Sequence, residues 1–330
     1  MPSRNRHVIA VVVLVPVLAA LALWAFAWPA SRIAPRDLPL GVAGPPAAAA
    51  QVEKQLERHE GAFEIHRYAD EAAARDAIKD RSVYGAVVVT RQGPELLTAS
   101  AAGPVVAQFL QQAMGQQAAA GGAQVKTVDV VPTPASDPRG AALSAAVLPL
   151  ALAGIAAGAV VTLLGLRGVR AVLALLGASA LVGVVAAGIA HSWLGALGGD
   201  WWAEAGVLAL STLAVGGAVA GLAALVGPAG TGIGAAVMML IGNPFSGASS
   251  APQMLPEPAG TIGQWLPPGA GTTLLRSVSS FDGAAATGPA LTLAWWAVLG
   301  LGAVLLGSSL RARRTGSEPA ADQRELSAVA

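Results

Sequence analysis

The chain has 330 residues, 54% of them hydrophobic and 12% charged, with a formal net charge of +1 and no cysteine. A soluble domain carries about 25% charged residues, so an ordinary soluble protein is excluded. With no basic patch, nucleic acid is excluded as a partner. The lack of cysteine excludes disulfides and thiolate metal sites.

Residues 205–256 contain no Asp, Glu, Lys or Arg. Continuous apolar runs of this kind describe bilayer-spanning helices of roughly 20 residues, not the alternating strands of a barrel. Lysine occurs only at Lys54, Lys79 and Lys126, against many arginines and alanines, a bias associated with GC-rich bacterial genomes.

The first apolar segment, Val8 to Trp28, follows Arg4 and Arg6. Pro16 is tolerable inside a membrane helix. Its length favours an uncleaved anchor, while the Ala25-Phe26-Ala27 triplet keeps a cleaved signal peptide as the other reading. Residues 1–28 are read as a cytoplasmic N-terminus and transmembrane helix 1.

Residues 29–140 hold most of the charge in short alternating elements. Strands are predicted over 38–44, 63–68, 83–90, 94–100 and 125–131. Helices are predicted to open at Pro45-Pro46, after an Asp70 N-cap and at Pro104. The run at 83–90 is apolar throughout, as a strand buried on both faces should be. Strands alternating with helices describe a small α/β domain with a mixed sheet, tethered back to the membrane by residues 132–140.

Five more apolar segments follow, at about 142–165, 171–190, 204–226, 230–243 and 288–310. Residues 141–310 are thus a five-helix transmembrane domain with an outer loop at 243–287, and 311–330 a cytoplasmic disordered tail. The fold class is a mainly α-helical membrane protein with six transmembrane helices, one plus five. An extracytoplasmic α/β domain is inserted between helices 1 and 2.

Six crossings put Arg4 and Arg6, Arg167 and Arg170, and Arg311, Arg313 and Arg314 all in the cytoplasm. The location is the inner (plasma) membrane, with both termini cytoplasmic. Tryptophans 24, 28, 193, 201, 202, 265, 295 and 296 then all fall on the outer half. The segment at 230–243 is short, and is read as crossing with a kink or break at Asn243-Pro244.

No catalytic constellation is present. The lysines follow no glycine-rich phosphate loop, and no Gly-x-Ser-x-Gly occurs. His7, His59, His66 and His191 lack metal-site spacing. The protein is read as a non-enzyme without cofactor or metal. Apart from Arg167 and Arg170, no span is expected to carry an interior charge, which argues against ion-coupled transport by this chain alone. Asp200 and Glu204 read as an N-cap and a first-turn acid. Gly154 with Gly158, Gly217 with Gly221 and Gly230 with Gly234 are spaced for close helix packing, in a compact bundle or a dimer.

The loop at 243–287 is too long for a simple connection, and its Phe245, Met254, Leu255, Trp265, Leu266, Leu274, Leu275 and Phe281 require burial. Two short helices are expected at the outer surface, near 258–266 and 270–280, joined at Pro267-Pro268-Gly269, with Gly269 supplying backbone freedom. Arg276 is expected to be solvated, or to pair with Glu257 or a lipid phosphate.

An inside N-terminus, one span, an exported α/β segment and five closing spans resemble the ABC type-2 transporter permease superfamily, and within it the YhgE/Pip-like bacterial membrane proteins. The matching stretches are "LPLGVAG" with "YADEAAARDAIKDRSVYGAVVV", and "GNPFSG" followed by "MLPEPAGTIGQWLPPGAGTTLLRS". The resemblance implies a homodimeric or heterodimeric permease served by a separate ATPase subunit. Carried over, Asn243, Pro244, Phe245, Trp265, Leu266, Pro267, Pro268 and Gly269 would form an outer gate. Two departures stand out: Leu166 to Arg170 is too short for the usual cytoplasmic coupling helix, and no amphipathic helix precedes the first span. The alternative reading is a non-transporting scaffold, receptor or envelope-assembly factor whose exported domain binds a partner.

Overall fold

The computed structural model describes residues 2–120 and 125–317. Helix α1 (Pro2–Ala30) leads into a unit of alternating strands and helices. These are β1 (Leu38–Ala43), α2 (Pro46–Leu56), β2 (Phe63–Tyr68), α3 (Glu71–Lys79), β3 (Gly85–Thr90), β4 (Gly93–Thr98), α4 (Pro104–Ala120) and β5 (Lys126–Asp129). The strands form one sheet in the order β2-β1-β3-β4-β5. All neighbours run parallel except β3 and β4, so the sheet is mixed, as the alternation of elements suggested.

Strand pleat sorts the core into two layers. Leu38, Leu40, Val42, Val87 and Leu96 turn to the face covered by α2 and α4. Ala43, Ala86, Val88 and Leu97 turn to the face covered by α3. Asp70 caps α3, accepting the Ala73 N–H at 2.9 Å, which satisfies one orphan donor of the first turn.

Neither layer is closed by residues 29–140 alone. Ala251 and Met254 complete the α2/α4 layer, and Phe281 completes the other. The expected boundary at 140 therefore does not describe the core: the segment predicted as an outer loop supplies part of it.

Five helices are long and apolar enough to cross a membrane: α1, α5 (Ala141–Leu163), α6 (Gly168–Ala187, continued by a π turn to Trp193), α7 (Trp201–Val226) and α11 (Thr287–Ser317). The segment expected at 230–243 is different. Helix α8 (Pro228–Ala236) has nine residues, followed by six in a π turn at Val237–Gly242. At about 1.5 Å per residue it falls short of a 30 Å hydrocarbon core. The described chain thus has five helices of spanning length plus one short apolar helix, not six equivalent spans. The helix widens into a π turn from Val237 and ends at Gly242, with Asn243 as its C-cap, so the break falls at Asn243-Pro244 as expected.

Helix α7 is the axis of the bundle. Two thirds of its apolar window (67%) is buried, against 6% for α1, which meets the rest of the chain near its C-terminal end, where Ala25 is buried and Trp28 packs on Phe245. Glycine sets the axis. On α5, a Cβ at Gly154 would lie 2.7 Å from Val215 Cβ, and one at Gly158 2.7 Å from the Gly216 carbonyl oxygen, both on α7. On the opposite side, a Cβ at Gly221 would lie 2.7 Å from the Gly300 oxygen of α11, while Gly217 lies in ordinary contact with the same helix. Such approach matters in lipid, where association depends on packing rather than on expulsion from water.

Arg311 lies on α11 and donates to the Ala223 and Ala224 carbonyls at 3.4 and 3.2 Å, satisfying the C-terminal end of α7. The tail expected from 311 is helical to Ser317; residues 318–330 lie outside the described residues.

Candidate functional site

Two helices form in the segment between α8 and α11. Helix α9 (Ala259–Trp265) and helix α10 (Pro267–Ser280) meet at Leu266, whose extended backbone (φ −100°, ψ 148°) turns the chain. Pro267 and Pro268 are not the link between them; they open α10, where a missing N–H costs nothing and a fixed φ suits the first turn.

The surface placement expected of α10 is not what is found. Eleven of its fourteen residues are buried, and it packs on α7, α11 and α5. The stripe Gly271, Leu274, Leu275 and Val278 faces the bundle, so its apolar face is satisfied by protein rather than by a membrane surface.

Gly269 is required by proximity rather than by backbone freedom. A Cβ there would lie 2.1 Å from the Gly263 oxygen, and one at Gly263 would lie 1.7 Å from the Phe245 oxygen. The two glycines let α9, α10 and the 243–247 turn touch backbone to backbone. Phe245 is buried with Leu255 and Ala259, its ring edge against Trp28 of α1 at 6.1 Å between centroids. Trp265 is 70% exposed, and its carbonyl accepts the Trp296 indole N–H at 2.8 Å. Asn243 caps the π turn, with its carbonyl accepting the Ser246 hydroxyl. Asn243 and Pro244 line a cleft of about 230 Å³ against the end of α1.

At its far end α10 is fastened to the α/β unit. Arg81 sits in the left-handed region (φ 60°) just past α3, which aims its guanidinium across the boundary. It donates to the Thr273 carbonyl at 2.9 Å and to the Ser277 hydroxyl, and lies 5.3 Å above the Phe281 ring, a cation–π distance. Tyr84 donates to Gln253 at 2.9 Å. Arg276, expected in solvent, is 4% exposed and donates to the Gly247 and Ala248 carbonyls. Burial pushes its guanidinium down, to about 10, and raises the Tyr84 hydroxyl.

At its near end α10 closes a crevice. Pro267, Pro268, Gly271, Thr272 and Leu275 face Leu143, Val147 and Leu150 of α5 and Leu208 of α7 around about 30 Å³. That space suits about one or two waters.

A family model described as "ABC-2 family transporter protein" matches residues 6–308. The chain belongs to this family. It matches no curated protein and no solved structure. The match extends over all five long helices, the α/β unit and the α9–α10 segment, so this ABC-2 family protein is a multi-pass membrane protein of the transporter permease type.

One feature of the ABC-2 chain escaped sequence reasoning. Glu204 stands in the first turn of α7, as expected, but it is fully buried, whereas the spans were expected to carry no interior charge. One carboxylate oxygen lies 2.8 Å from His191 Nδ1, and the other accepts the Gly199 N–H at 2.9 Å. The π turn at 188–193 swings His191 toward it. Asp200 is the N-cap, accepting the Ala203 N–H at 2.8 Å. The pair secures the 195–200 turn against α10, where a Cβ at Gly199 would lie 2.2 Å from the Val278 oxygen. His59 and His66 stay apart from this pair, and among the described residues no group of three or more His, Asp or Glu is placed to hold a metal.

Proposed function

We propose that this ABC-2 family protein is the permease component of an exporter for a lipophilic or peptide-like substrate. It is driven by a separate ATPase subunit and works as a homodimer or heterodimer. The α/β unit lies outside the cell, and both termini and the α5–α6 link lie in the cytoplasm. Positive-inside charge supports this orientation: Arg167 and Arg170 flank one end of the bundle, as do Arg311 and Arg313, while the tryptophans gather at the other.

The carrying observation is the double engagement of α10. Its C-terminal half is tied to the α/β unit through Arg81 and Phe281, and its proline-led start shuts the crevice against α5 and α7. A crevice of about 30 Å³ admits no lipophilic molecule, so passage requires α10 and α5 to separate. Displacement of the α/β unit would pull on α10 directly, making that unit the lever of an outer gate.

A second reading has its own observation. Only residues 164–167 connect α5 and α6, leaving no helix there for an ATPase to grip. This favours a scaffold or receptor that keeps the permease fold without transport.

Co-purification decides between the two. A tagged chain that brings down an ATPase, whose hydrolysis is stimulated by lipophilic compounds, supports export; isolation without one supports the scaffold. Orientation is tested by single cysteines at Ser249 and Arg311 in this cysteine-free chain, labelled by a membrane-impermeant maleimide. Reactivity of both from one side would overturn it.

A further inference from the structure

We propose that the α2/α4 face of the α/β unit holds a binding site for a single-chain anionic amphiphile, a fatty-acid-like molecule. A cleft of about 730 Å³ opens between these helices, within the roughly 300–1,000 Å³ typical of small-molecule pockets. The cleft is open to solvent along its exposed residues Gln55, Arg58, His59 and Gln116, so a ligand can enter without displacing the core.

Its floor is the sheet: Leu40, Val87 and Leu96, among the most buried residues of the chain. Its walls are Leu56 at the end of α2 and Phe109 and Met114 on α4. Methionine and aromatic walls accommodate a flexible chain without a fixed shape. Polarity is confined to the mouth. Arg58 and His59 follow α2 and line the cleft together with glutamines, and among the described residues no carboxylate lines it. Among the described residues no carboxylate pairs with Arg58. An apolar interior beneath a cationic rim calls for an apolar tail and an anionic head; a neutral or cationic head would forgo the guanidinium.

This deepens the export reading by assigning a substrate class, and rests on that reading only for the fate of the bound molecule. Binding stands or falls independently, so the test is one of binding. The full-length protein in nanodiscs is irradiated with a diazirine-bearing fatty acid, with the matching fatty alcohol, or with a diacyl phospholipid carrying the same group. Crosslinked peptides are then mapped. The fatty acid is expected to label α2 and α4 peptides more strongly than the alcohol or the diacyl lipid does.

Ala113→Trp, at an exposed α4 position on the cleft wall, should abolish that labelling while abundance and thermal melting stay normal. Arg58→Gln keeps the cavity and should weaken fatty-acid labelling several-fold, bringing it to the level of the alcohol. The proposal is overturned by labels confined to α1, α5, α6, α7 and α11, by equal labelling of Ala113→Trp, or by a cleft that takes the diacyl lipid in preference. Cleft labelling with no ATPase partner would keep this site and remove the exporter.

Discussion

Arg81, in the turn after α3, donates to the Thr273 carbonyl of α10 at 2.9 Å across 192 positions of sequence. A cation from the α/β unit thus holds the backbone of a helix embedded among the spans. A hydrogen bond from a charged group contributes about 1.5–3 kcal/mol. Arg81→Ala is therefore expected to accelerate amide exchange along α10 by at least tenfold while the sheet keeps its protection, as read by hydrogen–deuterium exchange mass spectrometry. Unchanged α10 protection would mean the unit is not fastened there.

Arg276 answers a different need. Its fork occupies the Gly247 and Ala248 carbonyls inside the protein. Arg276→Met removes these charged hydrogen bonds, worth about 1.5–3 kcal/mol each, while the Ser144 hydroxyl still serves Ala248 and the Ser250 N–H still serves Gly247; thermal unfolding in detergent should register the loss. Arg276→Lys restores charge but not the fork and should recover only part of it.

Gly263→Ala forces a methyl to within 1.7 Å of the Phe245 oxygen, so α9 must shift. Overpacking of this kind costs about 1–3 kcal/mol or more. Gly232→Ala on α8, where nothing lies within 4 Å, should be neutral or stabilising by up to about 1 kcal/mol. Comparing the two melting temperatures separates close approach from helix propensity.

Glu204→Ala strands His191 and the Gly199 N–H together. Each hydrogen bond to the carboxylate contributes about 1.5–3 kcal/mol, so the loss should lower the melting temperature, and the 195–200 turn should become protease-sensitive. Glu204→Gln retains an acceptor and should lose much less.

Trp265→Ala combined with Pro268→Ala tests the gate. The Trp265 carbonyl that receives Trp296 survives the change, so abundance should stay normal while transport or drug tolerance shifts. Wild-type behaviour at normal abundance would reduce the segment to a spacer.

Local elements were legible wherever one residue's chemistry sufficed. Asp70 and Asp200 announce their caps, Pro104 its helix and residues 83–90 a buried strand, because capping and pleat depend on neighbours in sequence. The α9–α10 pair was legible in outline for the same reason. Its depth was not, since the apolar stripe of α10 reads identically whether it meets lipid headgroups or α7. Gly269 was assigned to the right place for the wrong reason: the Gly263 carbonyl that excludes a side chain there belongs to another helix.

Membrane class needed nothing beyond the sequence. Long uncharged runs commit a chain to the bilayer because unpaired backbone is intolerable in hydrocarbon, and arginine clusters between them set an expected orientation. Folding in three dimensions decided which polar groups went inside. Glu204, Arg276 and Arg81 look like solvated charges in one dimension, because what makes each bearable is a partner brought by another segment: a histidine on a π turn, two carbonyls of a tight turn, a carbonyl and a hydroxyl of α10. Burial of charge depends on such convergence, and local patterning holds no record of it.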